Sequence, residues 1–276
     1  MKVAVLASGS SGNAIWVSGA STSILVDAGI SARRVGTSME ALGLSPDGLD
    51  AVLVTHEHSD HVSGLGPLVR RHDLPAYATE GTHAAIEDRV RDLRGRVVVR
   101  AGEPFGVGGL EIAPFAVSHD CCEPVGYSVS DGDATVTIAT DLGVVDNAVR
   151  DHLSRADCVV LEFNHDERML IEGDYPWFLK QRIAGRAGHL SNEAAARELI
   201  TMAEGPMSAL VLAHLSRENN TPVLAESSAR EALDRAGRGD VSVYLANQAE
   251  ALGPVDVVRR EGNETTTIGA VATCTR

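Results

Sequence analysis

Apolar residues along this chain fall into short runs, and between the runs lie amphipathic stretches with helical spacing. Runs of this length, rich in Val, Ile and Leu and bounded by Gly, Ser and Asp, predict strands at 3–7, 14–17, 23–26, 51–54, 97–99, 110–117, 125–130, 135–139, 157–161, 209–213 and 241–246. Apolar positions recurring at helical intervals predict helices at 31–42, 62–71, 82–93, 144–153, 175–183, 191–203 and 221–236. The two halves echo one another. ILVDAG (24–29) and TIATDLG (137–143) both end a strand in Asp-x-Gly, and LVTH (53–56) and LVLAH (210–214) both end one in His. Repeated halves of this kind predict an α/β chain whose two sheets stack face to face with helices outside, a four-layer αββα sandwich. The polar strand ends then converge on one edge. Residues 1–247 read as one domain. The stretch 248–276, with weak pattern and many Thr, Gly and Glu, reads as an edge strand or a partly ordered tail.

Composition narrows this picture only a little. Hydrophobic residues make up 44% and charged residues 22%, as in ordinary soluble globular proteins. No apolar run approaches the roughly 18 residues of a membrane span, so no membrane partner is expected. Of the four cysteines, Cys121 and Cys122 are adjacent, Cys158 sits in an apolar strand and Cys274 lies near the end. That pattern predicts reduced thiols rather than a disulfide framework. With a first apolar run too short for a secretory segment, it predicts a cytoplasmic location. A formal charge of −14 excludes broad, non-specific adhesion to nucleic acid or anionic lipid. It does not exclude an enzyme acting on nucleic acid, because bound dications would reverse the sign locally.

The chemistry concentrates in AVLVTHEHSDHVSGL (51–65), where His56, His58, Asp60 and His61 follow a buried strand. Three imidazoles and a carboxylate so close together make little sense as core, and they match what zinc-like ions accept. His56 and His58, two apart in an extended segment, face the same way. Ser59 is expected to cap a helix whose first turn carries Asp60 and His61 towards a second position. A solvated turn is the bland alternative. A zincin HExxH helix fails because its second histidine is missing.

Asp27, His119, Asp141 and His214 also end strands. Together with the 56–61 cluster they resemble the metallo-β-lactamase superfamily, whose signature is HxHxDH followed by His, Asp and His on later strands. That resemblance implies two divalent ions (Zn, Mn or Fe), one held by His56, His58 and His119 and the other by Asp60, His61 and His214. Asp141 would bridge them, and Asp27 would orient a ligand from behind. The chemistry implied is hydrolysis by a metal-bridging hydroxide. Alone, His119 would read as a polar contact and Asp141 as a helix cap.

A narrower likeness lies in SGSSGNA (8–14), THEHSDH (55–61), PFAVSHD (114–120), TDLG (140–143), LEFNHD (161–166), YPWFLKQRI (175–183), GHLSNEAA (188–195) and AHLSRENNTP (213–222), which resemble the YycJ/WalJ-like family. It implies a di-metal phosphodiesterase on nucleic acid, a 5′→3′ DNA exonuclease. Cys121 departs from the small residue expected there. A further resemblance, to tRNA 3′-processing endonucleases, implies that Glu162 holds His189 as proton donor to the leaving oxygen; these two, with Asp60 of the ligand set, are the expected catalytic residues. The bland reading is that His189 and Ser191 only begin a helix, with Ser191 its cap.

Substrate contacts are expected from Ser10, Ser11 and Asn13 in the Gly12 turn, whose N–H groups suit a phosphate. Ser216, Asn219 and Asn220 after His214, and Lys180, Arg182 and Arg186 before His189, complete the set. The turn lacks the known phosphate-loop spacings and fits a plain hairpin equally well. Arg89, Arg91, Arg94, Arg96 and Arg100, interrupted by Asp88 and Asp92, read as a solvated surface. Nucleic acid is the expected partner, and a homodimer is left open. Two alternatives use the same ligands: a thioester hydrolase of the glyoxalase II kind, and a mononuclear-iron oxygenase.

Overall fold

The computed structural model describes residues 1–90, 93 and 95–259. Its strands, in chain order, are β1 (Lys2–Ala7), β2 (Ala14–Ser18), β3 (Ser23–Val26), β4 (Ala51–Leu53), β5 (Ala76–Ala78), β6 (Arg96–Val98), β7 (Phe105–Val107), β8 (Leu110–Ala116), β9 (Val125–Ser130), β10 (Thr135–Ala139), β11 (Cys158–Glu162), β12 (Ala209–Ala213), β13 (Ser242–Leu245) and β14 (Leu252–Asp256). The helices are α1 (Ala32–Ala41), α2 (Ser59–Val62), α3 (Leu65–His72), α4 (Glu80–Ile86), α5 (Asn147–Ser154), α6 (Glu167–Glu172), α7 (Trp177–Ile183), α8 (Asn192–Thr201) and α9 (Pro222–Arg235). Two seven-stranded sheets form, in the orders β14-β1-β2-β3-β4-β5-β6 and β13-β12-β11-β10-β9-β8-β7.

Apolar side chains on successive strand residues go to opposite faces, and here both faces are covered. Val3 and Val5 of β1, Ile24 and Val26 of β3, and Val136 and Ile138 of β10 meet between the sheets. Ala4, Leu6 and Leu25 turn outward to Val35 and Met39 of α1 and to Leu65 and Leu68 of α3. On the far side Val159, Leu161, Leu210 and Leu212 pack against α5, α8 and α9. The result is the four-layer αββα sandwich, and it explains why the strands read as unbroken apolar runs.

The sheets share one direction pattern. β1–β2 and β2–β3 are antiparallel and β3 through β6 parallel; β8–β9 and β9–β10 are antiparallel and β10 through β13 parallel. Thus β3 and β10, which carry the Asp-x-Gly echo, are true counterparts. The other echo is displaced: β4 corresponds to β11, and β12, which ends in His214, corresponds to β5.

Several elements depart from the pattern. The helix expected at 62–71 breaks at Gly64, whose N–H donates to the Ala28 carbonyl (2.8 Å). A Cβ there would lie 1.9 Å from the Ile30 oxygen, so only glycine lets the two backbones cross. The helix expected at 82–93 stops at Ile86. β5 and β7 hold three residues each, too few to show a period, and α6 lies between the LEFNHD and YPWFLKQRI stretches, where no helix is expected. β14 pairs antiparallel with β1 at the sheet edge. Arg91, Asp92, Arg94 and the tail from 260, Cys274 included, lie outside the described residues. Nearby, Arg96 pairs with Glu80 (2.7 Å) and Arg100 with Glu103 (3.7 Å) at the surface. Among the described residues no helix is long and apolar enough to cross a membrane.

Candidate metal centre

The strands deliver their polar ends to one rim of the sandwich. Asp27 follows β3, His56 and His58 follow β4, Asp60 and His61 ride on α2, His119 follows β8, Asp141 follows β10, and His214 follows β12. Asp27, Asp141 and His214 have left-handed φ values of 63°, 58° and 55°. Non-glycine residues seldom hold that conformation, and they hold it where surrounding contacts fix it. At Asp27 the N–H donates to the Leu53 carbonyl (2.8 Å), and the carboxylate receives the Thr55 N–H (2.8 Å).

The ligand loop is stitched to the β3 loop beneath it. The Asn13 N–H donates to the Asp60 carbonyl (2.7 Å) and the Ala28 N–H to the His61 carbonyl (2.9 Å). A Cβ on Gly29 would sit 1.6 Å from the Asp60 oxygen. The expected Ser59 cap is not what forms. His58 occupies the N-cap position in extended backbone with no side-chain cap, and Ser59 is the first helical residue. The chain turns one residue early, which brings His58, Asp60 and His61 into one tight bend.

Among the described residues four overlapping groups could hold a metal ion, Asp141, Glu162, His189 and His214 being one of them, and two groups coincide with the expected sets. His56 Nε2 and His119 Nε2 lie 3.1 and 3.3 Å from His58 Nδ1. His61 Nε2 and His214 Nε2 lie 3.6 and 3.7 Å from Asp60 Oδ2. Each set keeps its ligand atoms within 4.8 Å of one another. Asp141 stands between them, with Oδ2 3.3 Å from His61 Nε2 and Oδ1 3.4 and 3.9 Å from the Nε2 atoms of His214 and His119.

In four of the five histidines, His58 excepted, the remote nitrogen is tied down, so the other faces the centre. His61 Nδ1 donates to Asp27 (2.7 Å), His119 Nδ1 to the Gly188 carbonyl (3.0 Å) and His214 Nδ1 to Glu162 (2.8 Å). Thr55 Oγ1 donates to Asp27 (2.9 Å) and accepts from His56 Nδ1 (3.0 Å). Burial, helped by the neighbouring His61, holds His56 well below the usual histidine range, in the neutral form a metal requires. Against burial, Asp141 and Asp27 hold His61 well above that range, and Asp141, Asp60 and Glu162 push His214 up to about 10. Buried Asp141 Oδ2 and His214 Nε2 have no hydrogen-bond partner. Such atoms are costly unless something fills the space they face, and a divalent cation accepts both. The residues fit a metal.

Glu162 is fully buried at the end of β11. Its Oε1 accepts from His189 Nδ1 (2.7 Å) as well as His214, and its Oε2 accepts the Leu142 and Leu190 N–H groups (3.1 and 3.2 Å). Burial alone would raise this acid, but His189 and His214 hold it at about 2. Glu162 in turn holds His189 above the usual histidine range despite burial. Ser191 caps α8, so the cap and the Glu162–His189 pair occur together.

Residues 22–215 match the β-lactamase superfamily domain. The chain is 37% identical over 255 residues to exodeoxyribonuclease YycJ of Bacillus anthracis, covering 92% of this chain and 97% of that one. The chain belongs to the YycJ/WalJ family. Exodeoxyribonuclease WalJ of Streptococcus pneumoniae is 36% identical over 250 residues, covering 88% and 93%. The metallo-β-lactamase fold protein YhfI of Bacillus subtilis superposes with a TM-score of 0.69 at 18% identity, covering 91% and 99%. This YycJ/WalJ member is a metal-dependent hydrolase.

A cleft of about 210 Å³ opens over the centre, and Ser10, Ser216, Arg182 and His189 line it beside the ligands. A larger hollow of about 540 Å³ beside Arg70 and Arg89 holds none of the ligand residues. The other expected substrate contacts sit elsewhere. Ser11 N–H is taken by Gln248 (2.9 Å) and Gly12 N–H by the Gly9 carbonyl (2.9 Å), so the turn offers little to a phosphate. The Asn13 amide receives Gly9 N–H (2.8 Å) and turns its Nδ2 towards His61 (3.0 Å) and Asp60 (3.4 Å). Asn219 is buried against Gly173, and Asn220 is buried and braces Phe163, Asn164 and Asn192. Lys180 binds the Ile171 and Gly173 carbonyls (2.7 and 2.6 Å). Arg182 pairs with Asp120 (2.5 Å) at the cleft, and Arg186 is exposed.

The pattern missed Thr55, Asn164 and Tyr175. Thr55 joins three site residues, Asn164 Nδ2 donates to the His214 carbonyl (3.0 Å), and Tyr175 lines the cleft. Asn164 lay in the quoted LEFNHD motif, two residues beyond Glu162, which was the available signal.

Proposed function

We propose that this protein is a cytoplasmic, two-metal exodeoxyribonuclease that removes nucleotides from the 5′ end of DNA. Asp141, lodged between two three-residue ligand sets with unpartnered buried Oδ2, is the observation that carries the reading. Family membership supports the DNA substrate and the exonucleolytic mode. His56, His58 and His119 would hold one ion, Asp60, His61 and His214 the other, and Asp141 both; Zn, Mn or Fe suits such ligands. When bound, the ions supply an acidified water as nucleophile and neutralise phosphate charge.

The chain's own residues do the rest. Asp27, Thr55, Gly188 and Glu162 fix which imidazole nitrogen faces the centre. Glu162 also keeps a proton on His189, whose ring lines the cleft and donates it to the leaving 3′ oxygen. An alkoxide needs that proton far more than a thiolate does, which favours a phosphodiester over a thioester. Free Cys121, Cys122 and Cys158 support a reducing compartment.

The test is hydrolysis of a 5′-phosphorylated, end-labelled DNA duplex with Mn²⁺ or Zn²⁺, beside Asp60→Ala and His189→Ala. Stepwise loss from the 5′ end, abolished by the first change and slowed by the second, is expected. Metal-replete protein that cleaves neither duplex nor single strands would overturn the reading.

A further inference from the structure

Helix α7 has no buried residue, which leaves its purpose in the fold unexplained. Trp177 and Phe178 at its start are 66% and 72% exposed, and Ile171 just before it is 65% exposed. The chain holds only two tryptophans, four tyrosines and four phenylalanines, yet three of those side chains fall at Tyr175, Trp177 and Phe178. Trp16, the other tryptophan, is 5% exposed in the core. Large aromatic faces left in water beside a catalytic cleft call for an occupant.

Position and charge say which. Tyr175, Arg182 and Ile183 line the cleft over the metal ligands, so α7 forms part of its rim. At about 1.5 Å of rise per residue, Trp177 stands roughly 8 Å along the axis from Arg182. Phe178 and Arg182, four apart, share one face of the helix. Residues 175–192 carry Lys180, Arg182 and Arg186 and no acidic residue, although the whole chain has a net charge of −14. Asp120 partly offsets Arg182, and Lys180 already donates to the Ile171 and Gly173 carbonyls. Aromatic faces interleaved with cations suit a polyanion whose units also carry flat apolar rings, and single-stranded nucleic acid has that chemistry.

We infer that α7 is a stacking ledge for single-stranded DNA, with Trp177 and Phe178 receiving unpaired bases while Arg182 meets the backbone as it enters the cleft. The inference rests on the nuclease reading for its substrate. Binding is nevertheless measurable without cleavage.

The experiment uses metal-loaded protein and a phosphorothioate oligothymidine that resists hydrolysis. Tryptophan fluorescence is expected to be quenched on titration and to stay flat in Trp177→Phe, since the core Trp16 is shielded. In Trp177→Ala/Phe178→Ala, oligonucleotide affinity is expected to fall tenfold or more, in line with stacking contributions of about 1–3 kcal/mol per base. The ratio of kcat/KM on a long strand to that on a dinucleotide is expected to fall with it. Both side chains are exposed, so an unchanged melting temperature is the folding control. No quenching and unchanged affinity, with DNA still degraded, would overturn the ledge and leave the nuclease reading intact. So would a variant that turns a dimer into a monomer while binding the oligonucleotide normally, which would make this face a contact between two copies. Quenching without any DNA hydrolysis would support the ledge and sink the nuclease reading.

Discussion

Asp27 and Asp141 end equivalent strands, β3 and β10, in nearly the same left-handed conformation, and they do different work. Asp27 turns its carboxylate back to Thr55 and His61 Nδ1, so all its capacity goes into holding a ligand. Asp141 faces the cluster, with one oxygen left unpartnered. The comparison extends into the following strands. Ile24 pairs with Ala51 and Ile138 with Val160, which puts His165 where His56 stands and Glu167 where His58 stands. In the first half that loop delivers His56 and His58 to the candidate metal cluster. In the second, Asp166 caps α6 instead, and His165, buried with an unpartnered Nδ1, lines a cavity of about 300 Å³ on the other side of His189. One backbone frame thus carries the candidate metal loop in one half and a cavity wall in the other. What differs is where the frame's polar ends find partners.

Substitutions at paired positions measure that difference. Asp141→Asn is expected to abolish hydrolysis and to lower bound metal, as read by activity and by metal content after dialysis. Equal retention of both would remove Asp141 from the centre. Next comes the residue with no counterpart in the first half: His189→Ala is expected to slow kcat by about 10²–10⁴-fold, the usual range for a general acid. Metal content should stay at the wild-type level. If metal leaves as well, His189 is a ligand and not a proton donor.

Asp27→Asn is expected to cost about 10–100-fold in metal affinity, as changes behind a ligating histidine do. A loss as large as that of Asp141→Asn would erase the distinction between the two aspartates. The smallest effects are at the helices after the paired strands. Ser31 caps α1 by accepting the Arg34 N–H (3.2 Å), and Asp146 caps α5 by accepting the Val149 N–H (2.9 Å). Replacing either with Ala should cost about 1 kcal/mol in denaturant unfolding and leave turnover unchanged. An activity defect from either would show that the rim senses its helices more than the two-half picture allows.

The layers and most strands were legible because a strand buried on both faces is apolar without interruption. The cluster of His56, His58, Asp60, His61, His119, Asp141 and His214 was legible because imidazoles and carboxylates at strand ends have few other uses. Three-residue strands such as β5 and β7 carry no period to read. The break at Gly64 depends on a distant backbone crossing, which local pattern does not encode. In the Ser10–Asn13 turn Ser10 reaches the cleft, whereas the Ser11 N–H is taken by Gln248, more than two hundred positions away. Asn219 and Asn220 follow His214 closely and look like cleft residues, yet both are buried, with Asn220 bracing β11's end against α8. The echo of His56 in His214 fell one strand off because strand order is set by pairing across the sheet.

The most direct test is anomalous scattering from crystals grown with Mn²⁺ or Zn²⁺. Two peaks flanking the Asp141 carboxylate are expected, one against His56, His58 and His119 and the other against Asp60, His61 and His214. A single peak, or a peak coordinated by His189 and Glu162, would contradict the two-ion centre and the role of His189 as proton donor.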